Sequence, residues 1–229
     1  MAGAAETVKA PNSETAQRQY RQRFGSGAAY RNRVWRILCN DYFSRIIPPD
    51  ARILDLGAGW GEFINNIPAA QKFAMDFNPD GRDKLSSDVR FLQQDCSQPW
   101  DALADGALDV IFSSNFIEHL PDKVSIESTV AEAHRCLRNG GLFICMGPNI
   151  RYVHGAYWDF WDHHIPISDG SCCELLLLAG FSIERRIPRF LPYTMSQQMH
   201  VPALFVKAYL RMPFIWKLLG KQFLIIGRK

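Results

Sequence analysis

At 229 residues, 47% hydrophobic and 21% charged, the chain is long enough to bury one sizeable core without disulfides or a structural metal, and its composition excludes the disordered and fibrous classes. A net charge of +3 is too small a basic excess to point to nucleic acid as a partner. No stretch approaches the run of about eighteen apolar residues that a membrane span needs, the N-terminus lacks the apolar segment of a secretory signal, and the six cysteines form no CxxC pair, so a cytoplasmic protein with free thiols is predicted.

In chain order, residues 1–17 are small and polar and read as a flexible tail, and residues 18–229 read as one domain. From 18 to 47 the apolar residues Tyr30, Val34, Ile37, Leu38 and Tyr42 recur at helical spacing until Pro48 and Pro49 stop the pattern, which predicts an N-terminal helical cap. ARILDLGAG then reads as a strand running into a glycine turn, with GEFINNI opening a helix. Further strands are predicted at Lys72–Asp76, Val89–Gln94, Leu108–Ser113 and Leu142–Met146, with helical patterns at Gly81–Leu85 and Ser125–Leu137. Asn139-Gly140-Gly141 is placed as the left-handed turn that ends the second of these helices. After Asn149 the alternation breaks into an aromatic and histidine-rich stretch. A helix over SCCELLLLAGF and two closing strands, Phe181–Ile187 and Gln222–Gly227, complete the reading. Strands alternating with helices imply a mostly parallel α/β sheet covered on both faces.

The chemistry gathers at strand C-terminal ends. In Asp55-Leu56-Gly57-Ala58-Gly59-Trp60-Gly61 the glycines sit where a strand turns sharply into the next segment, and side chains there would hold a ligand off the backbone. Asp76 closes the next strand, where a carboxylate can accept both hydroxyls of a ribose, and Asp95 follows the third strand within reach of an adenine amino group. Such a glycine turn also occurs in dinucleotide dehydrogenases and in purely structural turns, so the convergence of three such features on one crevice carries the argument.

On these residues the chain resembles class I S-adenosylmethionine-dependent methyltransferases of the small-molecule type 11 and type 23 group, from about Ala51 to Asn149 and more loosely beyond. The resemblance implies a Rossmann-like, mostly parallel seven-stranded sheet with an antiparallel last strand. It implies that Asp55, Gly57, Ala58, Gly59 and Gly61 lie against the methionine part of the cofactor, that Asp76 with Phe77 meets the ribose, and that Asp95 and Cys96 flank the adenine. Asn115 would face the reactive end, and Tyr20 or Tyr30 of the N-terminal helix would cover the methionine end. The turn reads G-x-G-x-G rather than the dehydrogenase G-x-G-x-x-G, and the Y-x-x-x-K pair is missing, which disfavours a nicotinamide-dependent oxidoreductase. A catalytically silent, cofactor-binding scaffold is the remaining alternative.

If the acceptor is a hydroxyl, a base is needed, and His119, after the fourth strand, is the first candidate, with His163 and His164 as rivals. Tyr157, Trp158, Phe160 and Trp161 are candidates for an apolar acceptor wall. Asp159, Asp162, His163 and His164 could in principle hold a divalent ion, but adjacent histidines rarely reach one metal, and no obligatory metal is expected. Segments 150–180 and 188–221 are expected to shape the acceptor side. The likeness of the C-terminal part to methyltransferases of polysaccharide and glycosylated natural-product pathways favours O-methylation of a sugar or related metabolite, free or lipid-linked. The segment from Val201 mixes Phe205, Tyr209, Phe214, Trp216 and Leu218 with Lys207, Arg211, Lys217 and Lys221, a pattern that suits a membrane surface, a core or a dimer face.

Overall fold

The computed structural model describes residue 18, residues 27–193 and residues 201–229; the expected tail and Tyr20 lie outside these. Seven strands form one sheet: β1 (Arg52–Leu56), β2 (Gln71–Asp76), β3 (Val89–Gln93), β4 (Leu108–Ser114), β5 (Leu137–Pro148), β6 (Ser182–Ile187) and β7 (Gln222–Arg228). Their order is β3-β2-β1-β4-β5-β7-β6, and β7 runs antiparallel to both of its neighbours. The chain steps outward in one direction from β1 and in the other from β4, so the two strands flank a switch point where open α/β sheets leave a crevice.

Strand alternation sorts the core onto two faces. Leu54 and Leu56 of β1, Phe143 and Cys145 of β5 and Phe223 and Ile225 of β7 face one way. Ile53, Ile144, Leu224 and Ile226 face the other. The first face is covered by α2 (Lys123–Cys136), which buries Ile126, Thr129, Val130, Ala133 and Cys136 at spacings of three and four, and by α3 (Asp169–Leu178). Asp122 caps α2 by accepting from Ser125 N, and Ser168 and Ser171 form a capping box on α3. The second face is covered by α1 (Ala28–Asp41) and, packed against it, α4 (Ala203–Leu210) and α5 (Pro213–Leu219). All six cysteines are buried, unpaired thiols.

In the N-terminal cap residue 18 is helical, and α1 is followed by a 3-10 turn at Phe43–Arg45. Two sequence expectations need correction. GEFINNI forms isolated turns rather than a helix, with Asn65 N donating to Gly61 O and Ile67 N to Phe63 O, because Pro68 ends the segment before a helix can propagate. Gly140 and Gly141 do not end α2, which stops at Cys136 when Leu137 turns extended. They form an irregularity inside β5, where Leu137 and Leu142 pair across the register shift with Leu108 and Val110. A side chain at Gly141 would crowd the carbonyls of Arg138 and Asp109.

The stretch after β5 is an excursion with closed ends. Ile150 N donates to Ile167 O, and Asn149, fully buried, donates through Nδ2 to Asp169 and to Pro188 O. Inside the loop the Tyr157 hydroxyl donates to Ile165 O at 2.6 Å and accepts from Ile167 N at 3.3 Å. Tyr157 has no exposed surface, so it is the loop's own core rather than an acceptor wall. Tyr157→Phe removes both bonds without changing the packing and leaves Ile165 O without this partner; it should lower stability by about 1–3 kcal/mol, seen as a lower urea midpoint at unchanged slope.

Candidate functional site

A cleft of about 380 Å³ opens at the C-terminal ends of β1, β2 and β4. Its floor is the glycine turn. Gly57 has φ +72°, and a Cβ there would stand 2.1 Å from the Phe116 ring, so both backbone shape and space demand glycine. Gly57 N and Ala58 N donate to Met75 O, which ties the turn to β2. Asp76 ties it again: one carboxylate oxygen accepts from Gly59 N and the other from Asn78 N, each at 2.8 Å. Burial pushes the Asp76 carboxyl above its usual range, and these backbone donors pull it part of the way back. Asp55 is buried beneath the turn; burial first, then the charges of Asp76 and Glu62, push its carboxyl well up, opposed by the Ile64 N–H.

Other walls come from separate elements. Asp95 lines the cleft with one oxygen accepting from both Ser97 N and Ser97 Oγ. Cys96 lines it too, but burial pushes its thiol up to about 12, so it is a packing residue and not a nucleophile. Phe77 is partly exposed at the rim. From α1, Arg31 pairs with Glu62 at 2.9 Å and lies over the Trp60 ring, while Trp35 packs edge-on to Phe63 and Phe112. Tyr30, one residue earlier, does not line the cleft: its hydroxyl accepts from Val201 N.

Asn115 follows β4 with φ +49°, a conformation that costs a non-glycine residue energy and persists only where its surroundings enforce it. Its backbone N is held by Met146 O and its Nδ2 donates to Ser114 Oγ. Its buried Oδ1 has no partner among the described residues. Glu118 is also buried with Oε1 unpartnered, and burial pushes its carboxyl up while His119 pulls it down. The histidines separate by role. His119 points Nδ1 at Asp162, 2.9 Å from its carbonyl oxygen and 3.3 Å from Oδ2, which leaves Nε2 as its other nitrogen. Burial lowers the His119 pKa, but Asp162 and Glu118 raise it by more, so the net direction is up. His163 is buried and boxed by Tyr157, Phe160 and His119. His164 is exposed on the cleft wall, its backbone N donating to Glu118 O.

Trp161 stands 90% exposed at the mouth beside Phe160. Trp158 is exposed and outside the cleft, so of the four expected wall residues Phe160 and Trp161 line it. Phe116 and Glu118 went unassigned in the sequence; Glu118 sits next to a histidine that was singled out, whereas nothing local marks Phe116. Of Asp159, Asp162, His163 and His164, the residues foreseen for a divalent ion, only His163 belongs to a metal-capable cluster among the described residues. Glu118, His119 and His163 instead bring ligand atoms within 4.8 Å of one another, a set that could hold a divalent ion.

A family model described as a methyltransferase domain matches residues 28–185. The chain belongs to the methyltransferase domain family. It is an S-adenosylmethionine-dependent enzyme with the Rossmann-like fold of that class. A search of curated proteins found no match. Among solved structures, the chain is similar to a methyltransferase in complex with the Trm112 methyltransferase activator of Haloferax volcanii (16% identity, 97% of this chain and 99% of that one, TM-score 0.64). It is also similar to S-adenosylmethionine-dependent methyltransferases from Archaeoglobus fulgidus (19%, 85% and 94%, TM-score 0.61) and Thermotoga maritima (18%, 92% and 99%, TM-score 0.64). At these identities the likeness is one of fold.

The residues fit the cofactor. A methyltransferase of this kind binds a sulfonium cation, and the cleft offers the carboxyls of Asp55, Glu62, Asp76, Asp95, Glu118 and Asp162 against one arginine. Each Asp76 oxygen accepts one backbone N–H, which leaves acceptor capacity of the kind a ribose hydroxyl would use. Gly57→Ala should abolish S-adenosylmethionine binding, and Asp76→Ala should weaken it by about 1.5–3 kcal/mol. Calorimetric titration checks both, and unchanged affinity in Asp76→Ala would remove the ribose assignment.

Proposed function

We propose that this methyltransferase methylates a hydroxyl of a small-molecule acceptor, free or carrier-linked, with sugars and sugar-like secondary metabolites as the favoured class. The observation that carries the reading is His119 on the cleft wall, with Asp162 behind Nδ1. A carbonyl and a carboxylate on Nδ1 fix the tautomer that bears its proton there, so Nε2 is left as the acceptor of a proton from the substrate. S-adenosylmethionine supplies a methyl already activated as an electrophile, so the chain's task is alignment, proton removal and exclusion of water.

The chain's residues divide that work. His119 takes the hydroxyl proton, and Asp162 stabilises the imidazolium that results. His163, walled in by rings, holds the His119 ring in place. Phe160 and Trp161 offer flat apolar faces at the mouth, against which the C–H face of a sugar ring can lie. Segment 150–180 contributes these groups, and Tyr193, from segment 188–221, lines the same cleft. The two segments thus act on the acceptor side, with glycine turn, Asp76 and Asp95 on the cofactor side. No obligatory metal enters, because the His119–Asp162 pair supplies the base without one.

The test is an acceptor screen over nucleotide sugars and glycosides, reading S-adenosylhomocysteine release and an O-methyl ether in the product. His119→Ala should cut turnover about a hundredfold or more while cofactor affinity is kept; a rate near wild type would transfer the role to His164 or end the hydroxyl reading. Because Asp162 and Glu118 hold the His119 pKa above its ordinary value, the protonated, inactive form persists to higher pH. Turnover should therefore rise with pH through that raised pKa, and Asp162→Asn should move the midpoint to lower pH while slowing the plateau. Dialysis against a chelator should leave the rate unchanged, and loss restored by a divalent ion would assign Glu118, His119 and His163 to a metal instead.

A further inference from the structure

The C-terminal part of the chain is electrostatically unlike the rest. Residues 185–229 carry nine Lys and Arg and no Asp or Glu, whereas the other 184 residues hold seventeen basic against twenty-three acidic side chains. The small overall charge therefore conceals a strongly basic segment beside an acidic body. That segment contains α4 and α5, which turn an unusual amount of apolar surface outward. Leu204 and Phe205 on α4, and Phe214, Leu218 and Leu219 on α5, are each more than half exposed. Their inward residues are satisfied: Tyr209 donates to Phe190 O, Trp216 donates to Tyr209 O, and Leu210 is buried. The outward residues thus have no packing role, and exposed between them are Lys207, Arg211, Lys217 and Lys221.

We propose that the α4–α5 pair is a docking surface for an anionic lipid bilayer. Apolar side chains flanked by long cationic ones suit the interface of a membrane, where the rings and leucines enter the headgroup boundary and the amines reach anionic headgroups. Charge complementarity selects the occupant: a second copy of this chain would set basic segment against basic segment, and neither helix carries an acidic residue to offset it. The helices are short, and among the described residues none is long and apolar enough to cross a membrane, so the contact is peripheral. The position also has a use. α4 packs on α1, whose Arg31 and Trp35 form one wall of the cleft, so docking sets that wall beside the lipid surface. This surface does not depend on the hydroxyl-acceptor reading.

Full-length protein is sedimented with vesicles of phosphatidylcholine alone and of phosphatidylcholine with phosphatidylglycerol. Binding to the anionic vesicles alone, weakened by salt, is expected. Phe205→Ser/Phe214→Ser/Leu218→Ser changes only solvent-facing side chains and should keep the circular dichroism spectrum while losing vesicle binding. Lys207→Gln/Lys217→Gln should weaken binding about thirtyfold, from two headgroup contacts of roughly 1 kcal/mol each. Failure to sediment with anionic vesicles, or undiminished binding by the folded triple variant, overturns the proposal. A dimer in analytical ultracentrifugation that the triple variant dissolves, with no vesicle binding, also overturns it and gives the face to a second copy.

Discussion

Two oxygens of one buried side chain hold the cofactor end of this molecule together. Asp76 accepts from Gly59 in the turn after β1 and from Asn78 in the turn after β2, so two loops from adjacent strands share a carboxylate. The turn after β2 leads only into a 3-10 helix, Pro79–Lys84, and the segment following the glycine turn never becomes a helix. Without a helix N-terminus to supply aligned N–H groups, the turn's shape rests on side-chain acceptors: Asp76 from the side and Asp55 from below through Ile64. Both carboxyls are buried and resist ionisation, a cost that a cationic ligand offsets. Fold, turn geometry and ligand charge are thus one problem with one solution.

The acceptor end is solved differently. The groups proposed for chemistry lie on two segments far apart in sequence: Glu118 and His119 after β4, and Asp162, His163 and His164 in the excursion after β5. What brings them together is backbone pairing, with His164 N on Glu118 O, while Tyr157 gives the excursion its own core. The excursion is closed at its base through Ile150 and Ile167, and Asn149 beside it is latched to Asp169, which Arg186 also holds. Side-chain placement at the reacting end therefore depends on a loop whose rigidity comes from a buried tyrosine and a buried asparagine, neither of which need touch a substrate.

Strand positions were legible because strands covered on both faces carry apolar runs, as the parallel β1 and β4 and the antiparallel β7 do. The glycine turn, Asp76 and Asp95 could be placed since their spacing follows directly from strand ends. Glycine had two meanings, however, and local sequence did not separate a helix stop from a strand irregularity at Gly140. The aromatic stretch misled for a related reason. Tyr157, Trp158 and Trp161 look alike in sequence, yet one is core, one is solvent-facing outside the cleft and one stands at its mouth. Which aromatic does which is set by the loop's closure, a tertiary event that no periodicity encodes. The same holds for Tyr30 and Arg31, adjacent on α1 but directed to different places.

The place of β7 in the sheet has a consequence for how the protein comes to be. Although it follows β6 in sequence, it lies between β5 and β6, its antiparallel partners on either side. During synthesis six strands leave the ribosome before the one that joins β6 to the rest, so two strand edges wait unpaired with no bridge between them. The nascent chain is at its most adhesive until β7 emerges, and at that moment it relies on chaperones or speed more than a fold in which each new strand merely adds to an edge.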